Sequence, residues 1–101
     1  YQYSLADAVL TVRSKSGARI TVVAEIPLTG TSELMPLEDG EELIRKNRWK
    51  KREISFGVTN KKEAFLLTFP PKNGISALIF QPSEKFVEIL KQKLLDKRNE
   101  M

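Results

Sequence analysis

The chain has 101 residues, 41% hydrophobic and 30% charged with both signs mixed, and a formal net charge of +4. This length accommodates one domain with one core, and the balance is that of a globular chain and not of a disordered or membrane-spanning one. Cysteine and histidine are both absent, which excludes a disulfide framework, a thiolate zinc site, a thiol nucleophile and any Ser-His or Cys-His pair, and removes the usual neutral-pH general base.

Residues 2–5 and 8–13 are short β-favouring runs parted at Ala6 and Asp7. Ser14, Lys15, Ser16 and Gly17 make a polar turn, and residues 19–26 are rich in β-branched side chains, so the opening reads as a hairpin. Pro27, Gly30 and Pro36 punctuate the next stretch, in which residues 31–35 suit a brief edge strand. Residues 53–59 alternate, with Ile54, Phe56 and Val58 on one face and Glu53, Ser55 and Gly57 on the other, which is the pattern of a further strand. Asn60, Lys61 and Lys62 turn the chain back. Residues 63–69 then set Phe65, Leu67 and Phe69 against Ala64, Leu66 and Thr68, a strand buried on one side and partly covered on the other.

Pro70 and Pro71 cannot donate to a ladder, and Asn73 and Gly74 tolerate positive φ, so PPKNG is expected to close a hairpin onto residues 75–81. Pro82 and Ser83 compete for the start of a terminal helix, with Glu84 favourable in its first turn. Phe86, Ile89, Leu90 and Leu94 form its apolar stripe, flanked by Val87, while Lys91, Lys93, Lys97 and Arg98 suit its negative pole. The expectation is six or seven strands and one helix at 83–98. The faces of Phe65, Leu67 and Phe69, of Ile75, Ala77 and Ile79, and of the helical stripe are expected to seal one mouth of a barrel together.

Residues 38–52, EDGEELIRKNRWKKR, carry the conspicuous charge feature, either a charged insertion or a short helix. Six of the eight residues from 45 to 52 are basic, and outside them 11 basic residues face 13 acidic ones, so the positive charge is local. Arg45, Lys46, Arg48, Lys50, Lys51 and Arg52 around Trp49 would suit anionic headgroups or phosphates. The same residues also read as a helix with Asp39 as N-cap, Glu42 completing a capping box, and ion pairs from Glu41 to Arg45 and Glu42 to Lys46. In that version Trp49 packs on the sheet.

Little else carries chemistry. Glu25, Glu33, Glu53 and Glu63 are scattered and read as solvated strand residues. Gly30, Gly40, Gly57 and Gly74 stand apart and form no phosphate loop. Asp39, Glu41 and Glu42 lack the spacing of a calcium loop. Base-stacking aromatics interleaved with cations, as in single-strand readers, are missing, so nucleic acid is disfavoured as a partner.

The arrangement of a strand meander ending in one helix, and the run KKEAFLLTFPPKNGISALIFQPSEKFVEIL in particular, resembles the end of bacterial pleckstrin-homology-like domains. The matching residues are Asn73 and Gly74, the apolar strand of residues 75–80, Pro82, Ser83 and Glu84, and Phe86 with Leu90. The opening YSLADAVLTVRSKSGARITVVAEIPL is similar to the family's first strands, and residues 38–52 depart from it as an insertion. The resemblance implies a mainly β fold: a partly open, PH-like barrel of about seven antiparallel strands, or two packed sheets, capped by a C-terminal helix and spanning residues 1–101 as a single domain. Relatives that bind phosphoinositides do so through basic residues on the first hairpin, where this chain has Arg13, Lys15 and Arg19 but not the denser pattern of those binders.

The expected function is therefore a non-catalytic interaction domain, the cytoplasmic portion of a membrane-associated bacterial protein, with a protein partner or the rest of a longer chain as its target. The alternative is a peripheral binder of anionic membrane surfaces using Arg45, Lys46, Arg48, Trp49, Lys50, Lys51 and Arg52. No cofactor is expected. Tyr1 in place of a starting Met suggests an excised or processed chain.

Overall fold

Turn chemistry sets the first sheet of the computed structural model, which describes residues 1–72 and 74–100. Strands β1 (Gln2–Ala6), β2 (Val9–Ser16) and β3 (Arg19–Pro27) run antiparallel in that order. Asp7 and Ala8, at φ of 49° and 61°, supply the left-handed pair that a two-residue hairpin loop needs. Val12 lies opposite Ala24 and Arg13 opposite Val22, so Val23 is an extra residue, a bulge in β3.

A second, four-stranded sheet follows. It contains β4 (Glu33–Pro36), then helices α1 (Leu37–Asn47) and α2 (Lys51–Ile54), the short β5 (Ser55–Phe56), a 3-10 turn at Lys61–Glu63, β6 (Phe65–Lys72) and β7 (Ile75–Phe80). The strand order is β4-β6-β7-β5. Helix α3 (Glu84–Asn99) ends the described chain.

Alternation along β6 and β7 gives the second sheet two buried faces. Leu67, Phe69, Leu78 and Phe80 face the first sheet and meet Leu10, Val12 and Ile26, while Leu90 and Leu94 of α3 close the same core. Ala64, Leu66, Ala77 and Ile79 face the other way and meet Leu37, Ile44 and Ile54 under α1 and α2. The result is three layers, sheet on sheet on helices. Leu10, Leu67, Leu78 and Leu90 are fully enclosed, each contributing about 1.5–3 kcal/mol of transfer free energy.

Helix α3 starts as the sequence suggests. Ser83 Oγ accepts from the Phe86 N–H at 3.2 Å, resolving the competition with Pro82 in favour of Ser83 as N-cap. At the other end Arg98 donates to the Ser32 carbonyl at 3.3 Å, tying the helix to the loop that follows β3.

Several expectations are corrected. Of the two arrangements the resemblance implies, the strands take the two packed sheets and close no barrel; the antiparallel expectation fails at one strand, because β5 runs parallel to β7. Residues 53–59 are not one strand: α2 takes the chain to Ile54, and β5 keeps only Ser55 and Phe56. Gly57, at φ 69°, then turns the chain away from extended geometry. Ile54 and Val58 join the helix-side core and Phe56 the inter-sheet core, so the period-two pattern marks a connector threading between two cores.

Asp39 is not the N-cap of α1. The helix begins three residues earlier, after Pro36, because the Leu37 N–H bonds the Ala64 carbonyl at 2.9 Å and carries the end of β4 straight into the helix. In α3 the buried line is Val87, Leu90 and Leu94, and Ile89 is 46% exposed. The seam between the sheets takes a narrower stripe than the sequence offers. Ala77 and Ile79 face the helices, and it is Leu78 and Phe80 that share the inter-sheet core with Phe69 and Leu67. Asn73 of the expected PPKNG turn lies outside the described residues.

Candidate interaction surfaces

The basic segment is folded onto the helix layer. After α1, Arg48 adopts left-handed φ 57°, and the N–H groups of Arg48 and Trp49 return to the carbonyls of Arg45 and Ile44 at 3.2 and 3.1 Å. This closure satisfies the last carbonyls of the helix and reverses the chain. It also turns Trp49, half-buried, onto the core formed by Ile44, Ile54 and Ile79.

Three of the six cations have carboxylate partners. Lys51 Nζ lies 2.6 Å from Glu41 Oε2, Arg45 Nη2 lies 3.2 Å from Glu42 Oε1, and Lys50 Nζ lies 3.9 Å from Glu53 Oε1. The expected pairs from Glu41 to Arg45 and from Glu42 to Lys46 are not the ones formed, because Lys51 on α2 reaches back to claim Glu41. Lys46, Arg48 and Arg52 are exposed and have no ion pair among the described residues.

A second surface lies on β3, an edge strand of the first sheet. Ile20, Val22 and Val23 are 55%, 47% and 40% exposed. Leu10 and Val12 point into the core, so their neighbours Thr11, Arg13 and Lys15 face outward, and with them the residues paired opposite: Glu25, Val22 and Ile20. Arg13 is anchored there by its guanidinium, which donates to Ser4 Oγ at 2.6 Å. Beside the β3 edge an open groove of about 280 Å³ runs between the two sheets, with Phe56, Phe69 and Ile75 on one side and Val23, Ala24 and Ile26 on the other. Glu25, Glu53 and Lys72 also line it.

Another groove, of about 620 Å³, lies where the 3-10 turn meets the start of α3. Gln81 organises it. Its Oε1 accepts from the N–H groups of Thr59 and Asn60, both at 2.9 Å, and its Nε2 donates to Glu63 Oε2 at 3.0 Å. Glu63, Glu84 and Glu88 line this groove together with Lys62 and Lys91, over Phe65 and Val87.

Of the scattered carboxylates, Glu25 and Glu53 meet at the inter-sheet groove, while Glu33 on β4 and Glu63 on the 3-10 turn lie elsewhere; all four are exposed. Glu38, Asp39, Glu41 and Glu42 line a shallow groove of about 340 Å³ with Arg45. Among the described residues no group of three or more His, Cys, Asp or Glu is placed to hold a metal ion, and no helix is long and apolar enough to cross a membrane.

The exposed β3 surface did not emerge from the sequence as a site. Its signal was the run ITVVA, with no charge between Arg19 and Glu25. No family model matches the chain, and neither a curated protein nor a solved structure matches it.

Proposed function

We propose that the chain is a non-catalytic, pleckstrin-homology-like interaction domain that takes a partner polypeptide on the β3 edge, acting at the cytoplasmic face of a membrane-associated bacterial protein. The observation that carries this reading is the exposure of Ile20, Val22 and Val23 on a strand hydrogen-bonded along one side only. Such an edge presents free backbone donors and acceptors, and proteins ordinarily blunt it with charge or cover it. A partner strand added there gains main-chain hydrogen bonds and apolar contact together. Two packed sheets with a C-terminal helix over the opening support the pleckstrin-homology-like part; the helix layer of α1 and α2 and the parallel β5 are departures from it.

A photoreactive side chain at Val22, compared with one at exposed Gln92 on α3, tests the reading in cells of the source organism. A polypeptide adduct formed at Val22 and not at Gln92 supports it. Equal labelling at both positions, or none at Val22, removes it.

A second reading, peripheral attachment to anionic membranes, is favoured by Lys46, Arg48 and Arg52, which stay exposed and, among the described residues, without an ion pair beside half-buried Trp49.

A further inference from the structure

The β2–β3 hairpin has a marked charge asymmetry. From Ala8 through Ala24 the chain contains Arg13, Lys15 and Arg19 and no acidic residue. Arg13 lies opposite Val22 and Lys15 opposite Ile20 on the outer face, so two of the three exposed aliphatic residues of β3 are paired with a cation-bearing residue on β2, while Val23 at the bulge has no partner. Carboxylates appear only at the base, where Glu25 and Glu53 border the inter-sheet groove.

We infer that the segment received by the β3 edge is an acidic, extended polypeptide, with its carboxylates beside the hairpin and an aliphatic residue over the inter-sheet groove. This rests on the edge-binding reading and adds the chemistry of the partner. Three features select it. The free N–H and C=O groups of an edge strand are satisfied by another strand and not by a lipid headgroup. The cations Lys15 and Arg19 favour carboxylates along the tip and disfavour a basic segment. The bulge at Val23 shifts the alternation, so that Ile20 and Val22 face outward while Ala24 and Ile26 face inward. An added strand would therefore present its acidic residues to Lys15 on the outer face, with Arg19 adding positive charge at the hairpin tip. Past the bulge it would turn an aliphatic side chain toward Phe56, Phe69 and Ile75, in a groove of about 280 Å³.

The test uses the full chain and labelled peptides in which valine alternates with glutamate, serine or lysine, each ending in two isoleucines and each made in both sequence directions. Binding is followed by fluorescence anisotropy, and the backbone amides of residues 19–26 by NMR. The glutamate peptide is expected to bind, to perturb those amides, to weaken as salt is raised, and to lose about tenfold in affinity with the exposed pair K15E/R19E. The lysine peptide is expected to regain that affinity on the same variant, which must keep the wild-type amide spectrum elsewhere. Equal binding of the three peptides at the β3 amides would overturn the acidic partner while leaving the edge reading intact. Self-association that perturbs the same amides would overturn it in favour of a second copy. Arg19-dependent sedimentation with anionic vesicles and no peptide binding would overturn it in favour of a membrane surface.

Discussion

The phenol of Tyr3 on β1 donates a hydrogen bond to the main-chain carbonyl of Phe56 on β5, linking the two sheets across 53 residues of sequence. The ring of Tyr3 also stands edge-on to Phe80, with centroids 5.4 Å apart, and Tyr1 stands edge-on to Phe56 at 5.7 Å. One margin of the inter-sheet core is closed by this aromatic group. Leu90 and Leu94 of α3 seal the same core elsewhere.

Tyr3→Phe is expected to lower stability by about 1 kcal/mol, the usual net worth of one intramolecular hydrogen bond, measured by urea unfolding. Burial pushes the Tyr3 phenol above its ordinary value of 10.0. The folded state therefore favours the protonated form. Its contribution is complete below about pH 10, where the unfolded phenol titrates, and is lost as pH rises through the higher folded value. Wild type should lose stability more steeply than Tyr3→Phe above that pH; parallel curves would show that the phenol is not linked to folding.

Gly57→Ala should destabilise by more than the common Gly→Ala effect. Its φ is 69°, and a Cβ there would sit 2.7 Å from Tyr3 Oη. A loss of about 1–3 kcal/mol is expected. Combined with Tyr3→Phe the loss should be smaller than the sum, because one change removes the atom that the other strikes. Strict additivity in a double-mutant cycle would refute the contact.

Gly40→Ala tests how closely α1 approaches the second sheet. In an exposed helix this change stabilises by about 1 kcal/mol. Here a Cβ would meet Leu66 Cδ2 at 2.5 Å, so the sign should reverse and the variant should melt below wild type. A raised midpoint would mean that α1 stands further from β6.

The phase of α3 separates Leu90 from its sequence neighbour Ile89. Leu90→Ala should cost about 2–5 kcal/mol, whereas Ile89→Ala, at an exposed position, should stay within about 0.5 kcal/mol. Comparable losses at both positions would require a rotated helix.

Vesicle co-sedimentation at low salt tests the membrane reading. With about 1 kcal/mol per cation near an anionic surface, replacing Lys46, Arg48 and Arg52 by Ser should weaken binding by about a hundredfold. Lys51→Ser should have less effect, since Lys51 already pairs with Glu41. The absence of salt-sensitive binding by wild type would retire that surface.

Local patterns were readable wherever one face of an element decides its fate. The hairpin of β2 and β3, the strands β6 and β7, and α3 with its Ser83 cap all follow from alternation, turn residues and capping. The α1 start is not legible because Asp39 and Glu42 offer the pattern of a side-chain cap, whereas Pro36 and a main-chain bond to Ala64 set it. Residues 53–59 misled because alternation also arises when a connector serves two cores in turn. The cations of the basic segment were visible, but Lys51 is paired with a residue ten positions away, which no spacing rule on one helix anticipates. Exposure of Ile20, Val22 and Val23 was hidden for a simpler reason: a β-branched strand looks buried until the sheet is seen to end there.

Because β6 and β7 divide their side chains between two cores, the hairpin does not tolerate changes of length equally along its course. Residues 65–68 pair regularly with residues 77–80, and the ladder becomes irregular only between Thr68 and Lys72. One residue inserted within 65–68 would send Leu66 toward the first sheet and Leu67 toward the helices, exchanging the contents of both cores. One inserted past Thr68 would be absorbed at the tip, so insertions and deletions in relatives of this chain should collect there.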